Sequence, residues 1–125
     1  MLERLTEIWE QKHNRTLPAY LRPNVVFSQR RCRCRRGTAN YGQRCIILYP
    51  AGQTVGTAVH ELAHFIGAIY NDRGHGKVFK RVHLELLVML QKNASEFVQY
   101  GAEPTTGLRP TYRGGDGLQL VLQLG

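Results

Sequence analysis

Hydrophobic positions near the start of the chain recur at three- and four-residue steps. Leu2, Leu5, Ile8 and Trp9 give residues 2–13 the stripe of an amphipathic helix that packs on a core. Pro18 and Pro23 end that segment and set up a turn. Val25, Val26 and Phe27 make a short strand extending towards Arg30, and residues 44–49, with Cys45, Ile46, Ile47 and Leu48, make a second; residues 37–42 are expected as a turn between them. Pro50, Ala51 and Gly52 break the second strand, and Thr54 is placed to start a helix. In that helix Val55, Ala58, Val59, Leu62, Phe65, Ile66 and Ile69 fall on one side of a wheel advancing roughly 100° per residue, which makes that side core. The helical period returns from Lys77 to Tyr100, with Val78, Phe79, Val82, Leu86, Met89, Leu90 and Phe97 on one stripe, predicting a second long helix beside the first. Beyond Tyr100, Gly, Pro and Thr dominate through Gly117. Leu118, Leu120, Leu122 and Leu124 then alternate with Gln119, Val121 and Gln123 in the period of a strand. The expected class is α+β, a small antiparallel or mixed sheet packed on the central helix and on the long helix after it.

A length of 125 residues suits one domain that buries its own core. No apolar run approaches the ~18 residues of a membrane span, and the first residues mix acidic and basic side chains, so the expectation is a soluble intracellular protein, cytoplasmic or in the nucleoid or nucleus, with no membrane partner. Cys32, Cys34 and Cys45 are odd in number and form no C-x-x-C pair, which reads as reduced thiols and not a disulfide framework. The net charge of +8 is unevenly distributed: no acidic residue lies between Glu10 and Glu61. Arg30, Arg31, Arg33, Arg35, Arg36 and Arg44 concentrate the positive charge there, a pattern suited to a polyanion such as the backbone of DNA, or to a solubilising face.

The polar side of the central helix holds the chemistry. His60, Glu61 and His64 form an H-E-x-x-H box in which both imidazoles and the carboxylate look the same way, opposite the apolar face. Gly56, Thr57, Gly67 and Ala68 flank them and leave room for an ion, a second ligand-bearing segment and a substrate chain. Eleven residues after His64 comes His75, within Gly74-His75-Gly76. Two histidines one turn apart can share a zinc ion, one per chain, and a carboxylate between them can act as general base on a water. The sequence also offers other third ligands. In the metzincin pattern H-E-x-x-H-x-x-G-x-x-H the glycine is matched by Gly67 but the last position is Tyr70, while Glu85 lies at a spacing compatible with the glutamate of gluzincins. His13 and His83 read as structural or surface histidines, with His83 also a candidate to line the site. Tyr70, Arg73, His83 and Tyr112 are the candidate donors to a developing oxyanion.

The order HELAH, then DRGHGKVF, resembles the SprT-like family of zincin metallopeptidases, which includes a DNA-protein crosslink protease. Upstream, LRPNVVFSQR, GTANYG and CIILYP are similar to that family's strand, glycine-containing turn and strand leading into the helix. The likeness covers roughly residues 2–92. It implies residues 1–100 as a catalytic domain, with residues 101–125 a loop and strand of the same domain. It also implies His60, His64 and His75 as zinc ligands, Glu61 as general base, and a protein substrate on or near DNA. The chain departs from the family at Lys77-Val78, where Pro-Glu is usual, and its cysteines all lie before the central helix, whereas many members continue into a four-cysteine ribbon after the core. The alternatives are a zincin-fold peptidase with a dedicated protein substrate and no DNA role, or a non-catalytic nucleic-acid-binding module stabilised by zinc. Three histidines with an open position favour an enzyme, since structural zinc sites are closed by four ligands.

Overall fold

A computed structural model describes residues 1–33 and 35–98, with the side chain of Val98 left aside. Helix α1 spans Leu2–His13, followed by a single 3-10 turn at Ala19–Leu21. Strands β1 (Asn24–Phe27), β2 (Gly37–Asn40) and β3 (Cys45–Leu48) precede helix α2 (Val55–Ala68). Helix α3 (Lys77–Lys92) and the short α4 (Ala94–Val98) complete the described part. Cys34, Tyr112 and the alternating leucines of residues 118–124 lie outside the described residues.

The class is α+β, and the sheet is mixed. Its order is β1-β3-β2, with β1 parallel to β3 (Asn24 opposite Cys45, Phe27 opposite Leu48) and β2 antiparallel to it (Gly37 opposite Leu48, Asn40 opposite Cys45). Residues 37–40 are therefore a strand where the sequence suggested a turn. Gly-Thr-Ala-Asn has little intrinsic strand preference, and pairing with β3 decides the matter. The absence of a side chain at Gly37 is what the packing demands, because a Cβ there would lie 2.8 Å from Thr57 Cγ2 and 3.2 Å from Glu61 Cγ. The small residues of β2 let the strand lie directly on the polar end of α2.

Helix α2 sits between the sheet and α3, and α1 packs across α3 and α2. Trp9, Leu5, Leu17, Ile46, Leu62, Phe65, Ile66, Leu86, Leu90 and Phe97 are fully buried and join in one core. Thr54 caps α2 by accepting from the Thr57 N–H at 3.3 Å. Asn71, in the left-handed region at φ 61°, turns the chain after α2, and the Asp72 N–H donates to the Gly67 carbonyl at 3.1 Å. The second long helix is interrupted where an unbroken one to Tyr100 was expected. The Asn93 side-chain amide donates to the Met89 carbonyl at 2.8 Å alongside the Asn93 N–H at 3.1 Å, and α3 ends there, at Lys92.

Charged contacts pin α1. Glu10 accepts from the Leu17 N–H at 2.6 Å and from the Arg22 guanidinium, holding the residue 17–22 loop against the helix. Arg4 pairs with Glu96 on α4 at 2.5 Å, and Lys12 and His13 pair with Glu85 on α3 at 2.8 and 2.6 Å. No described helix is long and apolar enough to cross a membrane.

Candidate metal centre

His60, His64 and His75 converge. One ligand atom from each lies within 4.8 Å of the others, a separation that one ion can span. Helix α2 supplies the first two from adjacent turns of one face. The third arrives on the turn after α2, which fits closely because Gly67 has no side chain; a Cβ there would meet the Asp72 carbonyl oxygen at 2.9 Å. Asp72 then shapes the turn. Its Oδ1 accepts from the Gly74 N–H at 3.2 Å and its Oδ2 from the Phe79 N–H at 3.1 Å, so one carboxylate sets the loop that carries His75 and caps the start of α3. These backbone donors hold the Asp72 carboxyl below the usual carboxylate range, Phe79 contributing most.

The donor set fits a metal ion. The Nε2 atoms of His60 and His75 face each other at 3.2 Å. Two nitrogens each about 2.0–2.1 Å from one tetrahedral ion are roughly 3.3 Å apart, so this pair already has nearly the spacing of two ligands. The buried Nδ1 of His64 has no hydrogen-bond partner. Burial, reinforced by neighbouring imidazoles, pushes His60 and His64 down to about 4, so both rings are neutral near pH 7 with a lone pair to offer. Phe79 forms the floor: its ring stacks on His64 at 4.4 Å and stands against His60 and His75 at 5.1 and 4.8 Å.

Glu61 lies beside this cluster. Its Oε2 is 3.9 Å from His60 Nε2, and the carboxylate is buried under β2, where the Ala39 N–H donates to it. Burial pushes the Glu61 carboxyl up to about 7, against the pull of the Arg35 guanidinium and the Ala39 hydrogen bond. A carboxyl poised near neutrality can both accept and return a proton.

The other sequence candidates divide. His83 reaches the site: its ring is 5.2 Å from that of His60, and its Nε2 is buried without a hydrogen-bond partner. Burial, followed by His64 and His75, pushes it down to about 4 as well. Glu85 is elsewhere, with its two carboxylate oxygens on His13 and Lys12, and His13 stacks on Trp9, so neither joins the cluster. Tyr70 lies under the Arg15 guanidinium, and Arg73 lies over the ring of Tyr41 at 4.5 Å. Tyr41 is the residue that sequence reasoning missed: its hydroxyl lies 3.3 Å from the His64 carbonyl and 3.4 Å from the Arg73 carbonyl, tying the β2–β3 turn to both ligand-bearing segments. Only its place in β2–β3 relative to α2 reveals this.

The six arginines are not one patch. Arg30, Arg31, Arg33, Arg35 and Arg36 are exposed on the loop from β1 to β2, anchored where the Tyr49 N–H donates to the Arg36 carbonyl and the Gln53 amide to the Ser28 carbonyl. Arg44 stands at the opposite end of β3, in the left-handed region at φ 53°. Of the described loop arginines, Arg35 is the one that acts electrostatically on Glu61. Comparisons with protein-family models, curated proteins and solved structures find no match, so the chemistry rests on this geometry.

Proposed function

We propose that this domain is a zinc-dependent metalloendopeptidase of the SprT-like zincin type that cleaves proteins on or near DNA. The observation that carries the reading is the convergence of His60, His64 and His75 with a buried Glu61 beside them and not among them. Three convergent imidazoles suit zinc, which when held there supplies Lewis acidity to a water and to a substrate carbonyl. Glu61 takes the proton of the attacking water and delivers it to the leaving amine. Burial under β2 keeps the carboxylate aimed at the cluster, and the Ala39 N–H fixes its orientation. His83, whose ring adjoins His60, is a candidate donor for charge developing on the carbonyl oxygen.

The choice of substrate follows from charge. The exposed arginine loop borders the site through Arg35, so a polyanion held on it would bring proteins bound to that polyanion alongside Glu61. The test is cleavage of a DNA-bound protein, with and without the DNA, by wild type and by Glu61→Gln. The variant is expected to retain zinc and to lose cleavage by a hundredfold or more, the scale of a general base. Undiminished proteolysis by Glu61→Gln would remove Glu61 from the mechanism, and cleavage indifferent to DNA would leave a peptidase with a dedicated protein substrate.

A further inference from the structure

Helix α3 turns one face to the metal centre and another to water. Phe79 and His83 lie on the first. On the second, Lys80, Leu84, Val88 and Lys92 follow one another at four-residue steps, and all four are exposed. Residues four apart stack along a helix, so these form a single ridge about 18 Å long, with two aliphatic side chains between two cations. Leu84 leaves 63 % of its surface open and Val88 40 %, on a helix whose other large apolar residues are buried or half-buried. Lys77 and Arg81 stand beside the ridge and are exposed too.

The charge on this face has one sign. Among the described residues, none of Lys77, Lys80, Arg81 and Lys92 pairs with a carboxylate. Glu85, the only acidic residue of α3, is turned to Lys12 and His13 on α1, and Asp72 gives its oxygens to the Gly74 and Phe79 N–H groups. Lys77, Lys80 and Arg81 crowd the start of the helix, whose first turn holds no acidic side chain. That is the end at which the helix dipole favours anions, so α3 carries there the charge its own geometry disfavours. Carboxylates brought by another molecule remove the conflict.

We infer that the outer ridge of α3 docks an acidic amphipathic helix of a partner protein, whose apolar residues cover Leu84 and Val88 and whose carboxylates meet Lys80 and Lys92. A helix is the form that matches, because ridges of i, i+4 spacing pack into the grooves of another helix. A phosphate backbone would neutralise the cations and leave both aliphatic side chains in water. A bilayer interface takes a broad apolar face with aromatic residues, and this face offers two aliphatic side chains. In a second copy, two such ridges facing each other would set like charge against like. The inference is independent of peptide hydrolysis and gives the domain a means of being held on a partner.

The experiment measures, by fluorescence anisotropy at low salt, binding by the full chain of a labelled alanine-rich peptide with Glu, Leu, Leu and Glu at four-residue steps. A peptide of the same composition with those four positions shuffled is expected to bind roughly tenfold more weakly. Leu84→Gln keeps a good helix former at an exposed position and is expected to weaken the ordered peptide about tenfold with the melting temperature unchanged. Lys80→Glu is expected to weaken it about fivefold, and replacing one or other of the peptide's glutamates by lysine should restore it. Equal binding of the ordered and shuffled peptides, or of the ordered peptide by wild type and Leu84→Gln, would overturn the inference. So would a loss of duplex DNA or phosphatidylserine vesicle binding in Leu84→Gln as large as its loss of peptide binding. A wild-type dimer in sedimentation that Leu84→Gln abolishes would assign the ridge to a second copy and overturn it as well.

Discussion

His75 is the test of the metal centre, because it is exposed on a turn and little else depends on it. Its replacement by alanine in the metal-free protein removes ring contacts with His60, His64 and Phe79 but no buried apolar packing, so stability should change by no more than about 0.5 kcal/mol. The effect should appear when zinc is added. With free zinc at a hundred times its Kd, binding stabilises the folded state by about 2.7 kcal/mol. For a domain of this size that corresponds to a rise in melting temperature of about 10 °C. Loss of one of three ligands should lower the affinity at least a hundredfold, beyond the range seen when only a supporting hydrogen bond is removed. At the same zinc concentration the variant would then gain only about 0.4 kcal/mol, a rise of one or two degrees. Differential scanning fluorimetry with a zinc titration, alongside metal analysis of the purified protein, reads both quantities. If His75→Ala showed the full rise and about one zinc per chain, the third ligand would have to be sought elsewhere, with His83 the nearest imidazole.

Other perturbations probe the parts that hold the site. Asp72→Ala removes the acceptor that orders both Gly74 and Phe79, and zinc affinity is expected to fall ten- to a hundredfold with His60 and His64 untouched; calorimetric titration with zinc measures it, and unchanged affinity would show that the turn needs no such support. Gly37→Ala places a Cβ 2.8 Å from Thr57 Cγ2, which should push β2 off α2, cost about 1–3 kcal/mol in denaturant unfolding and lower cleavage by displacing Glu61; a variant as stable and active as wild type would contradict the close approach of strand and helix. Burial acts to raise the Glu85 carboxyl, but hydrogen bonds from Lys12 and His13 outweigh it and leave the group below its ordinary 4.5. The stability it contributes is therefore present above that value and is lost as pH falls through the lowered one. Glu85→Gln should cost up to about 1 kcal/mol at pH 7, with the difference from wild type fading in acid as the pH falls through the lowered value; a pH-independent difference would refute the ion-pair origin.

What the sequence determined by itself was whatever depends on neighbours within one or two helical turns. The stripe Leu2, Leu5, Trp9 fixed α1, Thr54 fixed the start of α2, and the three- and four-residue steps from Val55 to Ile66 fixed which side of α2 is core and hence which side shows His60, Glu61 and His64. Helical period and caps are local physics, and one chain suffices to read them. Tertiary structure decided whatever joins residues far apart. Gly37–Asn40 became a strand because β3 offered hydrogen bonds and α2 offered a surface without room for larger side chains. Packing also brought His75 to within 3.2 Å of His60, shielded Glu61 beneath Ala39, carried His83 to the cluster, and hung Tyr41 between the His64 and Arg73 carbonyls. The arginines, one block in sequence apart from Arg44, were divided between opposite ends of β3. Charge and residue type are written along the chain, but burial and pair distance, which set a proton affinity or complete a ligand set, arise only when separate segments exclude water together.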